Sequence, residues 1–146
     1  MEPFLKKKIA YISCVGITVS LVICAILYFR PLPLSSFTDK NSKIHVTLLE
    51  DNIDNGGLYS DSTEYPDITE EQHEEILSVL EEYSCHRTFG TLFSKGVMHG
   101  LGNRVLYIAN GQIITVTESG KLSINSKTYR INNADQLIGQ ILEIVE

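Results

Sequence analysis

Cys85 and His86 stand side by side, a thiol next to a base, the raw material of a cysteine hydrolase. The flanking residues spell a strand, however, and neighbours on a strand point to opposite faces. His86 is then badly placed to activate Cys85. His45, His73 and His99 are free to approach, but no spacing says that they do. The expectation is a structural cysteine, and the alternative is a small anchored hydrolase using Cys85. The three cysteines make no disulfide framework, because Cys14 and Cys24 lie in an apolar run and leave Cys85 alone in the polar part of the chain.

Asp51-Asn52-Ile53-Asp54-Asn55-Gly56 suggests a calcium loop. An EF-hand needs an oxygen ligand at its third position and Glu at its twelfth, and these are Ile53 and Ser62 here. A looser cation site among Asp51, Asp54 and Asp61 stays open, and with it a cation-responsive domain working through residues 51–82. The histidines lack metal-ligand spacing. Gly96, Gly100 and Gly102 do not join a strand to a helix, so they are read as a hairpin connection rather than a phosphate loop. No catalytic set, metal site or cofactor is expected.

Charge narrows the partners. From residue 31 onward there are 8 Lys or Arg against 17 Asp or Glu, a net charge of −9. Nucleic acid needs a basic surface, so it is not an expected partner. Residues 50–82 hold twelve acids and no Lys or Arg, whereas residues 83–146 hold six bases against four acids. The domain should have an acidic side and a near-neutral to basic side.

These residues are positioned by what precedes them. Residues 9–29, IAYISCVGITVSLVICAILYF, contain no charge. A helix of this length spans roughly 30 Å, the thickness of a bilayer's hydrocarbon core. Lys6, Lys7 and Lys8 precede it and Arg30 follows, so the N-terminus is expected in the cytoplasm and the domain outside. Tyr28-Phe29-Arg30-Pro31 is a poor cleavage site, which favours a retained anchor over a signal peptide. Gly16, Ser20 and Cys24 recur every four residues and could bring two such helices together. The expected partners are the bilayer, a protein partner or a second copy; the sequence specifies no small-molecule ligand.

Residues 1–30 therefore read as a cytoplasmic tail and membrane helix, 31–43 as a linker with two prolines, and 44–146 as one small domain. Ile44, Val46 and Leu48 alternate as a strand, and 51–67 reads as a long acidic loop. Thr69 and Gln72 form a capping box for a helix over 69–83, with Ile76, Leu77, Leu80 and Tyr83 as its apolar stripe. Ser84 to Phe93 reads as a strand. Strands follow over 104–109, 112–117, 121–125 and 128–131, with Asn110-Gly111 as a hairpin turn in which both residues take positive φ. Asn133 or Asp135 caps a last helix. The expected fold is α+β, an antiparallel β-meander carrying two helices.

Leu80-Glu81-Glu82-Tyr83 running into Ser84-Cys85-His86-Arg87-Thr88, then Val105-Leu106-Tyr107-Ile108, Ile113-Ile114-Thr115-Val116, Gly120-Lys121-Leu122-Ser123-Ile124-Asn125 and Tyr129-Arg130-Ile131, make a pattern with a wider likeness. It resembles small membrane-anchored or lipid-anchored extracytoplasmic domains of Gram-positive Firmicutes, a group without an assigned function. The resemblance covers about half the chain. It implies a bacterial surface protein and supplies no catalytic residues. The lipobox of the lipid-anchored members is missing, and the apolar run stands in its place. The combined expectation is a single-pass, membrane-anchored interaction or binding domain that is not an enzyme.

Overall fold

A computed structural model describes residues 3–54, 57–93 and 104–146, without the side chains of 3–10, 52–54 and 57–59. The loop bearing Gly96, His99, Gly100 and Gly102 lies outside the described residues. The chain divides into two compact units, residues 1–30 and 31–146. The first is one helix, α1 (Pro3–Phe29).

The second unit is built on an eight-stranded antiparallel sheet. In chain order the strands are β1 (Leu32–Pro33), β2 (His45–Asp54), β3 (Gly57–Tyr65), β4 (Ser84–Arg87), β5 (Arg104–Asn110), β6 (Gln112–Thr117), β7 (Lys121–Ile124) and β8 (Lys127–Ile131). Across the sheet they run β1-β4-β8-β7-β6-β5-β2-β3. Helices α2 (Glu70–Glu82), α3 (Phe89–Phe93) and α4 (Ala134–Val145) complete an α+β fold.

Period-two alternation places Val46, Leu48, Leu106, Ile108, Ile114, Val116, Leu122, Ile124, Tyr129 and Ile131 in one core. Ile76, Leu77 and Leu80 of α2 pack into that core with Leu137, Ile138, Ile141 and Leu142 of α4. Each fully buried aliphatic side chain stabilises the fold by about 1.5–3 kcal/mol relative to exposure. Thr69 caps α2 as its sequence predicts: the Gln72 N–H donates to Thr69 Oγ1 at 3.3 Å, and the Thr69 N–H donates to Gln72 Oε1 at 3.0 Å. The carboxylates of α2 (Glu70, Glu71, Glu74, Glu75, Glu81 and Glu82) are all exposed, as expected.

Several local expectations differ from the structure. The acidic stretch 51–67 is mostly a hairpin, β2 turning into β3, rather than a loop. β2 pairs with β3 from Val46 opposite Tyr65 to Asp54 opposite Gly57, and residues 60–64, exposed throughout, need no apolar alternation. The 31–43 segment is no simple linker: β1 pairs with β4, Leu34–Phe37 forms a 3-10 turn, and Leu32 and Leu34 are buried. The strand expected over 84–93 stops at Arg87, because the Thr88 N–H donates to Thr91 Oγ1 at 2.8 Å and turns the chain into α3. Asn133 occupies the N-cap of α4 in a left-handed conformation (φ 55°) without a side-chain cap bond.

The turns exchange roles. Asn125 (φ 48°) and Ser126 (φ 65°) form the two-residue β7–β8 turn with both centres left-handed. At the β5–β6 turn only Gly111 has positive φ (66°), because Ala109 pairs with Ile113 and the loop holds one more residue than the motif predicts. Gly120 (φ 82°) is held for a second reason: a Cβ there would lie 2.8 Å from the Ile131 carbonyl oxygen.

Candidate functional site

Among the described residues of the second unit, a groove of about 910 Å3 lies between α2 and the 40–45 segment. Its size falls within the range of small-ligand sites. Ile44 and Leu77 are buried along it and Ile68 is half-buried. Its rim is divided by charge. Lys40, Lys43 and His45 come from the segment, and Glu70, Glu74 and Glu81 from α2. Lys40 reaches Glu81 at 3.5 Å, both side chains being exposed, so that pair adds little to stability. The arrangement can hold a ligand that carries both charges on an apolar body, such as a short peptide segment.

The segment wall is fixed from beneath by a buried amide. Asn110 is 1% exposed. Its Oδ1 accepts from the Asp39 N–H at 2.5 Å and its Nδ2 donates to the Ser42 carbonyl at 2.8 Å. The Ser42 carbonyl also accepts from His73 Nε2 at 3.1 Å, so that nitrogen carries a proton. Asp39 closes the loop on itself: one carboxylate oxygen accepts from the Asn41 N–H at 3.0 Å and the other from the Ser42 hydroxyl at 2.8 Å. The Asn41 N–H and then the Ser42 hydroxyl hold the Asp39 carboxyl below the ordinary value. Asn110 is thus the positioning residue that sequence reasoning missed. Its neighbour Gly111 marked a turn, and the turn signal masked the use of the side chain.

Cys85 has the setting of a core residue. It is wholly buried between Leu32 and Ile131 on adjacent strands. Burial pushes its thiol up to about 11, with Arg87 acting weakly in the other direction. A reactive cysteine needs the opposite combination, access and a lowered pKa.

The looser cation site does not assemble. Glu50 stands opposite Asp61 and Asp51 opposite Ser60 across the β2–β3 hairpin, so Asp51 and Asp61 fall on opposite faces. Asp51 instead accepts from the Ser60 hydroxyl at 2.5 Å. The Asp54 side chain lies outside the described residues. Among the described residues no group of three His, Cys, Asp or Glu could hold a metal ion.

On α1, Gly16, Ser20 and Cys24 are exposed along one stripe. Ser20 donates its hydroxyl proton to the Gly16 carbonyl within the helix at 2.9 Å, as Thr18 does to Cys14 at 2.9 Å. The stretch Tyr11–Phe29 is 19 residues long, apolar and unburied, long enough to cross a membrane. No family model matches the chain, and no curated protein or solved structure matches it at a significant level.

Proposed function

We propose that this chain is a single-pass membrane protein that holds a non-catalytic α+β interaction domain outside the cytoplasmic membrane. The observation that carries the reading is the Tyr11–Phe29 helix, apolar over 19 residues and with none of that surface buried. Burying such a helix in water-free hydrocarbon satisfies its backbone internally and removes its apolar side chains from water. Lys6, Lys7 and Lys8 support a cytoplasmic N-terminus. The sequence resemblance supports a Gram-positive surface.

The buried, high-pKa thiol of Cys85 supports an interaction role over a cysteine hydrolase. The groove beside α2 is the place where a protein segment would bind, its divided rim meeting both charges of a peptide. Self-association through Gly16, Ser20 and Cys24 belongs to the same reading.

Alkaline carbonate extraction and protease treatment of intact protoplasts test this directly. The full-length chain should stay in the membrane pellet, and added protease should remove residues 31–146 without lysis. A mature N-terminus beyond residue 24 would show a cleaved signal peptide and end the anchor. Protection of the domain until lysis would reverse the orientation.

A further inference from the structure

We propose that α3 docks the domain onto an anionic lipid surface, with Phe89, Leu92 and Phe93 entering the headgroup boundary and Arg87 and Lys127 meeting lipid phosphates. The inference rests on the anchored reading above and deepens it by naming a second membrane contact.

The burial of α3 is inverted. Phe89, Leu92 and Phe93 are 72%, 60% and 82% exposed, while the polar Thr91 is buried. Residues spaced by three and four share a helix face, so the three apolar side chains form one outward patch. The turn that carries the patch is hydrogen-bonded through Thr91. Thr91 Oγ1 accepts from the Thr88 N–H at 2.8 Å and donates to the Thr128 carbonyl of β8 at 2.5 Å, and the Thr91 N–H donates to the Thr88 carbonyl at 3.0 Å. Local bonding thus orients this turn, and the large apolar side chains remain on its outer side.

Charge around the patch points to the occupant. Arg87 stands opposite Tyr129 and Lys127 opposite Ile124, so both lie on the face of the sheet that carries the core, whereas Lys121 and Arg130 pair on the reverse face; β1, β4, β7 and β8 carry no Asp or Glu. Lys121, Lys127 and Arg130 are exposed and Arg87 is half-buried. A phosphate-rich surface complements this end of the sheet. A second copy meeting the same face would bring like charges together.

Chain connectivity points the same way. β1 runs antiparallel to β4, with Pro33 opposite Ser84 and Leu32 opposite Cys85. Continuing that register brings Pro31 alongside His86, three residues before Phe89. The chain therefore enters the domain at the end of β4 from which α3 starts, and Arg30, directly after the apolar run, is its neighbour in sequence. Three side chains alone bind lipid weakly. A tether makes their docking intramolecular, so weak contacts suffice.

The chain has no tryptophan, so Phe93→Trp in the full-length protein gives a single fluorescent reporter. It would be reconstituted in phosphatidylcholine vesicles with or without phosphatidylglycerol, each prepared with and without dibrominated acyl chains. The expected result is blue-shifted emission quenched by bromine in the phosphatidylglycerol vesicles, with weaker quenching in phosphatidylcholine alone. Arg87→Gln and Lys127→Gln should each lower the docked-to-undocked ratio about fivefold. Leu92→Trp should give the same pattern from a second position.

Water-exposed emission unaffected by bromine, in a chain that resists carbonate extraction, overturns the docking and leaves the anchor standing. Shielded emission without bromine quenching shows that protein covers the patch and overturns the lipid assignment. Release of the chain by carbonate overturns the anchor and, with it, the docking that rests on it.

Discussion

The two edges of the sheet are built by opposite rules. At one, β1 and β4 are short, apolar inward and flanked by bases. Leu32 and Cys85 are buried there, and the neighbouring 3-10 turn inserts Leu34. At the other edge, residues 60–64 of β3 are all exposed, and β2 with β3 carries Glu50, Asp51, Asp54, Asp61 and Glu64 without a Lys or Arg. The first edge is stabilised by burial, and the exposed 60–64 stretch of the second by its ladder with β2 and the Ser60–Asp51 bond, with Tyr65 alone among the described side chains of β3 packing on the core. Charges along an edge strand also discourage pairing with further chains, so the acidity of β3 does for solubility what packing does for β1.

This contrast fixes where substitutions should matter. Leu34→Ala empties a wholly buried position and should cost about 2–5 kcal/mol in chemical denaturation. Thr63→Ala, on the acidic edge, should fall within about 0.5 kcal/mol of wild type. Equal effects at both sites would erase the distinction.

The next largest effect lies at the packed edge and depends on pH. The folded thiol of Cys85 is raised from 9.0 to about 11, so the fold favours its neutral form. Its contribution is complete below the unfolded value and is lost as pH rises through the folded one. Against a Cys85→Ala reference, wild type should lose on the order of 2 kcal/mol between those values, at about 1.4 kcal/mol per unit. Thermal melts from neutral to strongly alkaline pH would read this, and parallel curves would contradict the burial of the thiol.

Asn110 tests the middle of the sheet. Asn110→Ala removes both clips on the 39–42 loop and leaves the Asp39 N–H without its acceptor. It should cost about 1–3 kcal/mol. Hydrogen exchange at Asp39 should rise while exchange in β7 and β8 stays slow; a global rise alone would contradict a local clip.

The smallest effect is at the acidic edge, where Glu50 faces Asp61. Like charges directly opposite destabilise a ladder. Asp61→Lys should therefore stabilise the domain by about 0.2–1 kcal/mol, with the gain shrinking in high salt. A loss of stability would show that the hairpin needs its acidity.

The same contrast explains what could be read beforehand. Ile44, Val46 and Leu48, the four closing strands, α2 and α4 were legible because each sits on the core and carries the period of its element. β3 was not, because its residues 60–64 are all exposed and keep no apolar alternation. Leu32 and Leu34 were missed because two prolines beside two leucines look like a linker, and their burial depends on β4, far along the chain. The groove was hidden for a similar reason: it needs Asn110 to reach Asp39 across 71 residues, and no local pattern encodes that. The structural reading of Cys85 and the capping box of α2 were visible because both follow from neighbours in sequence.

The two-residue strand β1 is also the point where the domain meets the rest of the chain. Any tension arriving from the N-terminal side is borne first by Leu32 and Pro33 and their pairing with Cys85 and Ser84. A strand peeled from one end opens pair by pair, so Leu32 and Pro33 are the first contacts such a load tests, ahead of the Leu34 N–H bond to the Tyr83 carbonyl at 2.9 Å. The domain would therefore yield in two stages under load, a soft release of its first strand and then the resistance of the main sheet. The first stage would strip Cys85 of its neighbour Leu32 on one side while Ile131 still flanks it on the other.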